Sequence, residues 1–328
     1  LPETLGNLIN LRNFYVKTNR LSGPFPVVLT KLVKLEYLNL SFNNFSGTIP
    51  AEIGNWEELK HLYLWKNQFS GGIPPSIGKL RNLTELSLGE NRLSGELPKE
   101  LGQLENLVTA YLNNNAFTGQ IPNEMTRASN LKYLNLNSNN LSGDLPDELG
   151  NWEALESLLL GSNKITGTFP PSIGKMKRLK FLSVFWNKMS GTLPSELGEL
   201  ENLEWLYLTN NRFSGTLPSS ISNLKRLKIL AIPNNTFSSF PEELGDLESL
   251  EELNASSAFS GGRIPENIGN LRNLKLMLLC NNKLSGEIPA GIGEMMMLEK
   301  LDLRHNELTG AIPAEIGYLD NLTMLDMS

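Results

Sequence analysis

The chain has 328 residues, of which 40% are hydrophobic and 20% are charged. This balance excludes an intrinsically disordered chain, and the apolar runs are only a few residues long, too short to span a bilayer. The 29 basic and 35 acidic residues give a net charge of −6 without any block of Lys or Arg, which argues against a nucleic-acid-binding surface. The single cysteine, Cys280, cannot form a disulfide within the chain.

One sequence unit recurs along almost the whole chain. Leucine returns every 24 residues from Leu11 to Leu227 and then, after a one-residue deletion, at 250, 274, 298 and 322. When each of these lead leucines is counted as position 0, apolar residues fill positions 3 and 5, Asn position 8, Gly position 12 and Pro position 15. A regular copy is LKYLNLNSNNLSGDLPDELGNWEA, residues 131–154. Such a unit cannot bury its apolar edge alone, so the sequence predicts a solenoid in which each repeat packs on its neighbours.

Each part of the repeat predicts a local structure. Leu131, Leu134 and Leu136 show the alternation of a short strand whose odd positions face the core. We expect the Asn amide to satisfy backbone groups of neighbouring turns. The Gly permits a bend, and the Pro limits the return segment to extended chain and at most one helical turn. Asn occupies its column in twelve of thirteen copies: 19, 43, 67, 91, 115, 139, 163, 187, 211, 235, 282 and 306.

This pattern resembles the plant-type leucine-rich repeat, LxxLxLxxNxLSGxIPxxIGxLxx, and LEYLNLSFNNFSGTIPAEIGNWEE (35–58) matches it almost letter for letter. The resemblance implies an α/β repeat solenoid, a superhelix with parallel strands lining its concave face and short 3-10 or extended segments on its convex face. It also implies an extracellular or cell-surface receptor-like protein that binds a protein or peptide, with any catalysis in a separate kinase domain.

The expected domain organisation is one solenoid over residues 1–328, with about thirteen full repeats and partial repeats at both ends. The family's paired cap cysteines are missing, and the chain starts and stops within repeats. We therefore expect the chain to be part of a longer protein, since open repeat ends expose core. Residues 227–273 form irregular units: the deletion removes one Gly, and Ala258 replaces a ladder Asn. A local bend or an altered loop is expected there.

Large aromatic residues concentrate at positions 2, 4, 6 and 7, which the strand alternation places on the face away from the core. Two groupings are expected on adjacent strands, and aromatic residues of this kind are typical of interaction hot spots. The first consists of Tyr37, His61, Tyr63 and Trp65, and the second of Phe181, Phe185, Trp186, Trp205 and Tyr207, with Tyr111 and Tyr133 on the same face. We therefore predict a partner-binding surface. The alternative is that these rings only stack on one another and stiffen the sheet.

A binding role is favoured over catalysis. The two histidines, His61 and His305, are too distant in the repeat array to share a site. Cys280 with His305, Asp302 and Asp326 is the one constellation that resembles a catalytic group, but nothing in the sequence suggests an oxyanion hole. Zinc requires more Cys or His ligands than the chain offers. We expect no enzyme activity, no cofactor and no metal. The second hypothesis is a structural or scaffolding protein that is a stable part of a larger assembly or an extracellular matrix.

Six glycosylation sequons fit an extracellular protein, although the repeat itself supplies Asn and Ser at fixed positions. They lie at Asn44, Asn82, Asn140, Asn234, Asn254 and Asn321.

Overall fold

The computed structural model describes residues 1–328, which divide into two compact units, Leu1–Ile165 and Thr166–Ser328. Each unit is described by itself below. The expectation of one solenoid domain over the whole chain stays a prediction.

Every repeat begins with a three-residue strand, and these lead strands pair in parallel and in register within each unit. Tyr37 pairs with His61, Leu38 with Leu62 and Asn39 with Tyr63, so equal repeat positions are side by side. In the first unit the lead strands are Asn13–Tyr15, Tyr37–Asn39, His61–Tyr63, Glu85–Ser87, Thr109–Tyr111, Tyr133–Asn135 and Ser157–Leu159. In the second they are Phe181–Ser183, Trp205–Tyr207, Ile229–Ala231, Glu252–Asn254, Leu276–Leu278, Lys300–Asp302 and Met324–Asp326.

A second set of short parallel strands follows the Asn column. In the first unit these strands are Ser22–Pro24, Asn44–Thr48, Gln68–Gly71, Arg92–Glu96, Ala116–Thr118, Ser142–Gly143 and Lys164–Ile165. In the second they are Ser190–Gly191, Arg212–Gly215, Thr236–Phe237, Ser285–Gly286 and Glu307–Leu308. The Gly at position 12 has a positive φ in every copy that retains it, for example 75° at Gly143, which confirms its role as a bend.

The return segment of each repeat is a 3-10 helix, and the chain contains no α-helix. Most of these helices start directly after the repeat Pro, which is extended, as at Pro98 with φ −69° and ψ 132°. In the first unit they are Glu3–Asn7, Val27–Lys31, Ala51–Asn55, Pro75–Lys79, Lys99–Gln103, Asn123–Arg127 and Leu149–Asn151. In the second they are Pro171–Lys175, Ser195–Glu199, Ser219–Asn223, Glu242–Asp246, Glu266–Asn270, Ala290–Glu294 and Ala314–Tyr318. The predicted single helical turn and the predicted fold class are confirmed.

The core and the Asn ladder follow the predicted pattern. Leu131, Leu134 and Leu136 are buried, and so are the equivalent residues of the other internal repeats. The Asn139 side-chain amide donates to the Leu112 carbonyl of the preceding repeat at 3.1 Å, and its oxygen accepts from the Phe117 N–H at 3.1 Å. Asn139 therefore joins two consecutive repeats through groups that would otherwise be buried without partners.

Position 7 has a property that the repeat pattern did not predict. Thirteen residues other than glycine adopt the left-handed backbone conformation there, with φ between 51° and 59°. They are Thr18, Phe42, Lys66, Glu90, Asn114, Ser138, Ser162, Trp186, Asn210, Asn234, Ser257, Asn281 and His305. This conformation is unfavourable for bulky residues such as Phe42 and Trp186, so the surrounding ladder imposes it.

In the irregular repeats, backbone and aromatic contacts replace the missing Asn. The Phe237 N–H donates to the Ala258 carbonyl at 2.9 Å instead of to a side-chain amide. The oxygen of Asn282 accepts from both Ala258 and Phe259, at 2.8 and 2.7 Å. The rings of Phe240 and Phe259 lie 4.0 Å apart and fill the shortened segment. The lead strands on either side still pair in register.

Candidate binding face

The side chains at positions 2, 4, 6 and 7 of the repeats form one surface of each unit, which we call the strand face. The strand at Tyr133–Asn135 illustrates why: Tyr133 is exposed, Leu134 is buried in the core and Asn135 is half-buried. The predicted residues Tyr37, His61, Tyr63, Trp65, Tyr111, Phe181, Phe185, Trp205 and Tyr207 are half-buried, whereas Tyr133 and Trp186 are exposed. All eleven lie on the strand face as expected, and their role in binding stays a prediction.

The first aromatic cluster extends across three lead strands of the first unit. The Tyr37 ring lies 4.5 Å from Tyr15, 5.0 Å from His61 and 5.2 Å from Tyr63, measured between centroids. Trp65 does not join this stack, because its ring packs edge-on against Tyr111 at 5.9 Å, two repeats further on. The predicted grouping of four residues is therefore divided into a stack and a separate Trp65–Tyr111 pair.

Glu85 on the next strand fixes the polar edge of this cluster. The Tyr63 hydroxyl donates a hydrogen bond to the Glu85 carboxylate. Burial, followed by this hydrogen bond, raises the pKa of Tyr63 far above its ordinary value, so the phenol remains a donor. His61 Nδ1 is buried without a hydrogen bond and lies 3.8 Å from Glu85 Oε1. This part of the strand face is thus held by aromatic stacking and one charge-assisted hydrogen bond.

The rings enclose a pocket of about 420 Å³, which we call the Trp65 pocket. Its aromatic walls are Tyr37, Phe42, Tyr63, Trp65 and Tyr111, and its polar lining is Lys17, Asn39, Ser41 and Ser87. Aromatic walls with a few polar groups are the usual composition of a ligand site.

Two lysines belong to this site, and sequence reasoning did not identify either of them. The ammonium groups of Lys17 and Lys66 each lie 5.4 Å from the centroid of the Phe42 ring. Lys17 comes from the repeat before Phe42 and Lys66 from the repeat after it. The sequence did contain a signal for them. Lys17 is at position 6, Phe42 and Lys66 are at position 7, and the three residues belong to consecutive repeats, so cation–π contacts between them can form.

The second aromatic cluster lies in the second unit. The Phe181 ring is 5.8 Å from Trp205 and 5.4 Å from Tyr207, and the Lys228 ammonium lies 5.4 Å from the Trp205 ring. Phe185 and Trp186 are on the same face but make no ring contact with these residues. Trp186 is 64% exposed.

The constellation of Cys280, Asp302, His305 and Asp326 belongs to the last three repeats of the second unit. Cys280 is buried, and Asn281 donates to its sulfur at 3.6 Å. The Arg304 guanidinium pairs with Asp302 at 2.8 Å and lies 3.6 Å from Asp326. Both carboxylates thus face Arg304, and the backbone N–H of His305 donates to the Ser328 carbonyl.

The sequons differ in how their side chains are used. Asn44 is exposed, Asn140 and Asn254 are half-buried, and Asn254 lies on the strand face. The amide of Asn82 donates to the Glu57 carbonyl, that of Asn234 to the Asn210 side chain and that of Asn321 to the Met296 carbonyl. Their modification stays a prediction.

No cluster of three or more His, Cys, Asp or Glu side chains has an arrangement that could hold a metal ion. None of the helices is long and apolar enough to cross a membrane.

A ladder of in-register parallel strands, a buried Asn column and one 3-10 helix per turn define a repeat solenoid. Models of leucine-rich repeats match most of the chain: a leucine-rich repeat region over 186–276, leucine-rich repeats over 125–189, and single repeats over 34–56, 58–80, 82–104, 273–295 and 297–319. The chain belongs to the leucine-rich repeat family. A comparison with curated proteins finds no match.

Solved structures of the same family resemble the chain over its length. One is the Arabidopsis receptor kinase HAESA in complex with the peptide hormone IDA and the co-receptor SERK1, which is 34% identical to this chain. The alignment covers 100% of this chain and 59% of the HAESA chain, with a TM-score of 0.82. The plant peptide hormone receptor RGFR1 in complex with RGF2 is 34% identical to this chain. The alignment covers 100% of this chain and 61% of the RGFR1 chain, with a TM-score of 0.78. The LRR protein LIC12759 of Leptospira interrogans is also 34% identical. Its alignment covers 99% of this chain and 86% of the LIC12759 chain, with a TM-score of 0.71. The chain thus spans about three-fifths of the two receptor chains.

Proposed function

We propose that this protein is an extracellular recognition module that binds a peptide, or an extended segment of a protein, on its strand face. The observation that carries this proposal is the Trp65 pocket, in which five aromatic side chains from three repeats of the first unit line a volume of about 420 Å³. That volume suits one or two side chains of a peptide rather than a large cofactor.

The aromatic contacts prepare the surface for binding. Tyr37 packs between neighbouring rings at tilted angles, and Trp65 packs against Tyr111, so these side chains lose little conformational freedom when a ligand binds. Preorganised aromatic residues with a polar edge are the groups that most often dominate binding energy. The alternative of stacking alone explains the ring contacts but not an open pocket between them.

The similar structures support a peptide as the ligand. HAESA and RGFR1 share the fold of this chain and are each 34% identical to it over the aligned part. HAESA was solved with the peptide hormone IDA, and the plant peptide hormone receptor RGFR1 was solved with RGF2. By analogy we place this protein outside the cell and assign it binding without catalysis. The pairing of Asp302 and Asp326 with Arg304 supports the absence of a cysteine–histidine catalytic group.

A displayed short-peptide library, panned on the immobilised protein, tests the proposal. The wild type should enrich peptides, and the double variant Trp65→Ala/Tyr111→Ala should lose them, with affinities reduced by at least about 2 kcal/mol. Tyr318→Ala is the matched control, because this tyrosine is 61% exposed but lies on the 3-10 helix Ala314–Tyr318. Equal enrichment on wild type and double variant would refute the pocket. Stable polymers of the wild type in light scattering would instead favour the scaffold hypothesis.

A further inference from the structure

We infer that the Trp65 pocket accepts an acidic side chain, Asp or Glu, that is next to an apolar side chain of a bound peptide. This inference rests on the proposed function, because it names the ligand chemistry of the same pocket.

The first argument is the unpaired positive charge. Lys17 lines the pocket, Lys66 approaches the Phe42 wall from the following repeat, and both side chains are exposed. Neither lysine forms an ion pair, whereas Lys60 in the same unit pairs with Glu36 at 2.7 Å. Contact with the Phe42 ring keeps both ammonium groups near the pocket without neutralising them. A carboxylate that enters the pocket therefore meets Lys17 in the lining and has Lys66 beside the Phe42 wall, and neither lysine has an ion-pair partner.

The second argument is that the polar lining contains free hydrogen-bond donors. The side-chain oxygen of Asn39 accepts from the Ser41 N–H at 3.0 Å, and its NH₂ group is free to donate to a ligand. The hydroxyls of Ser41 and Ser87 make no hydrogen bond within the protein, although both residues are largely buried. A ligand oxygen can accept hydrogen bonds from these groups.

The third argument is that no carboxylate lines the pocket. Glu85 does not line the pocket, and its charge is engaged by the Tyr63 hydroxyl. The lining contains no acidic residue, and the aromatic walls provide area for an adjacent apolar side chain. Positive charge, free donors and apolar walls together select an acidic group beside an apolar one rather than a basic or wholly apolar peptide.

The test compares peptides recovered from the same library on wild type and on Lys17→Gln/Lys66→Gln. Peptides enriched on wild type should contain Asp or Glu next to an apolar residue, and the double variant should bind them about tenfold more weakly. Replacing the acidic residue of a recovered peptide with its amide should cause a similar loss on wild type and little further loss on the variant. Lys79→Gln/Lys99→Gln, which changes the net charge equally on the 3-10 helices, is the control.

Two outcomes overturn the inference and are distinguishable. The first outcome is that the recovered peptides lack acidic residues, need Trp65 and Tyr111, and bind Lys17→Gln/Lys66→Gln as tightly as wild type. This result would refute the acidic ligand chemistry and leave the proposed function intact. Peptides that bind regardless of Trp65 and Tyr111 would refute both.

Discussion

The side-chain amide of Asn67 donates to the carbonyl of Leu40, 27 residues earlier in the chain, at 3.0 Å. The oxygen of the same side chain accepts from the Phe45 N–H at 3.0 Å. One buried side chain thus satisfies a donor and an acceptor of the preceding repeat.

Asn67→Ala should lower the free energy of unfolding by about 2 kcal/mol or more, because it leaves the Phe45 N–H and the Leu40 carbonyl without this partner. Urea denaturation followed by circular dichroism measures the change. Asn44→Ala is the control, since this asparagine is exposed, and its effect should stay within about 0.5 kcal/mol. Equal effects of the two substitutions would contradict the structural role of the ladder.

The second glycine of the repeat allows adjacent 3-10 helices to approach closely. A Cβ built on Gly102 would lie 1.9 Å from the Glu124 carbonyl oxygen, whereas a Cβ on Gly317 would meet nothing within 4 Å. Gly102→Ala should therefore destabilise the protein by about 1–3 kcal/mol through overpacking. Gly317→Ala should be neutral or slightly stabilising, because alanine reduces the entropy of the unfolded chain. Thermal denaturation of both variants checks this prediction, and a reversed order would contradict it.

Position 1 of three consecutive repeats in the first unit is occupied by Arg12, Glu36 and Lys60, which we call the charge ladder. Lys60 pairs with one carboxylate oxygen of Glu36 at 2.7 Å, and Arg12 pairs with the other oxygen. The hydrogen bond from Lys60, followed by that from Arg12, lowers the pKa of Glu36 below its ordinary value of 4.5. Because the folded carboxylate binds a proton more weakly than the unfolded one, its stabilisation is present above pH 4.5 and is lost as the pH falls through the lowered value.

Glu36→Gln should therefore be less stable than wild type at neutral pH, and the difference should shrink on acidification and at high salt. Denaturation midpoints across the pH range measure the difference. Glu57→Gln is the control, since Glu57 is exposed and its carboxylate has no ion pair. If the stability difference between wild type and Glu36→Gln grew as the pH fell, the ionised Glu36 carboxylate would not be the group that stabilises the fold.

The second aromatic cluster makes a separate prediction about binding. Trp186→Ala, Trp205→Ala and Tyr207→Ala should each weaken a peptide recovered on wild type by about 2 kcal/mol if that peptide reaches this cluster. The fold should change little for Trp186, which has no ring partner, and more for Trp205 and Tyr207, which contact Phe181. Isothermal titration calorimetry and denaturation separate the two effects. Unchanged affinity in all three variants would confine binding to the Trp65 pocket.

Much of the fold was predictable because a strict repeat links each local pattern to one structure. The alternation at Leu131, Leu134 and Leu136 predicted the strand and its buried side, and Pro98 predicted where the return segment begins. The left-handed backbone at Trp186 was not predictable, because the residue itself disfavours that conformation and the packing of neighbouring turns imposes it.

The candidate site was predictable only in part. Repeat positions identify which aromatics share the strand face, but they do not show which rings meet. Trp65 packs on Tyr111 two repeats away rather than on Tyr63, and Lys17 and Lys66 meet at Phe42. Such pairings depend on side-chain rotamers, which the sequence pattern leaves open.

The sequence by itself determined the repeat length, the strand register, the Asn ladder and the face on which each aromatic lies, because these follow from periodic local preferences. Only the tertiary structure decided that Tyr37, Phe42, Tyr63, Trp65 and Tyr111 enclose a pocket with Lys17 and free hydroxyls. The reason is physical: a cavity forms where side chains from several repeats fail to fill space, and no single repeat contains that information.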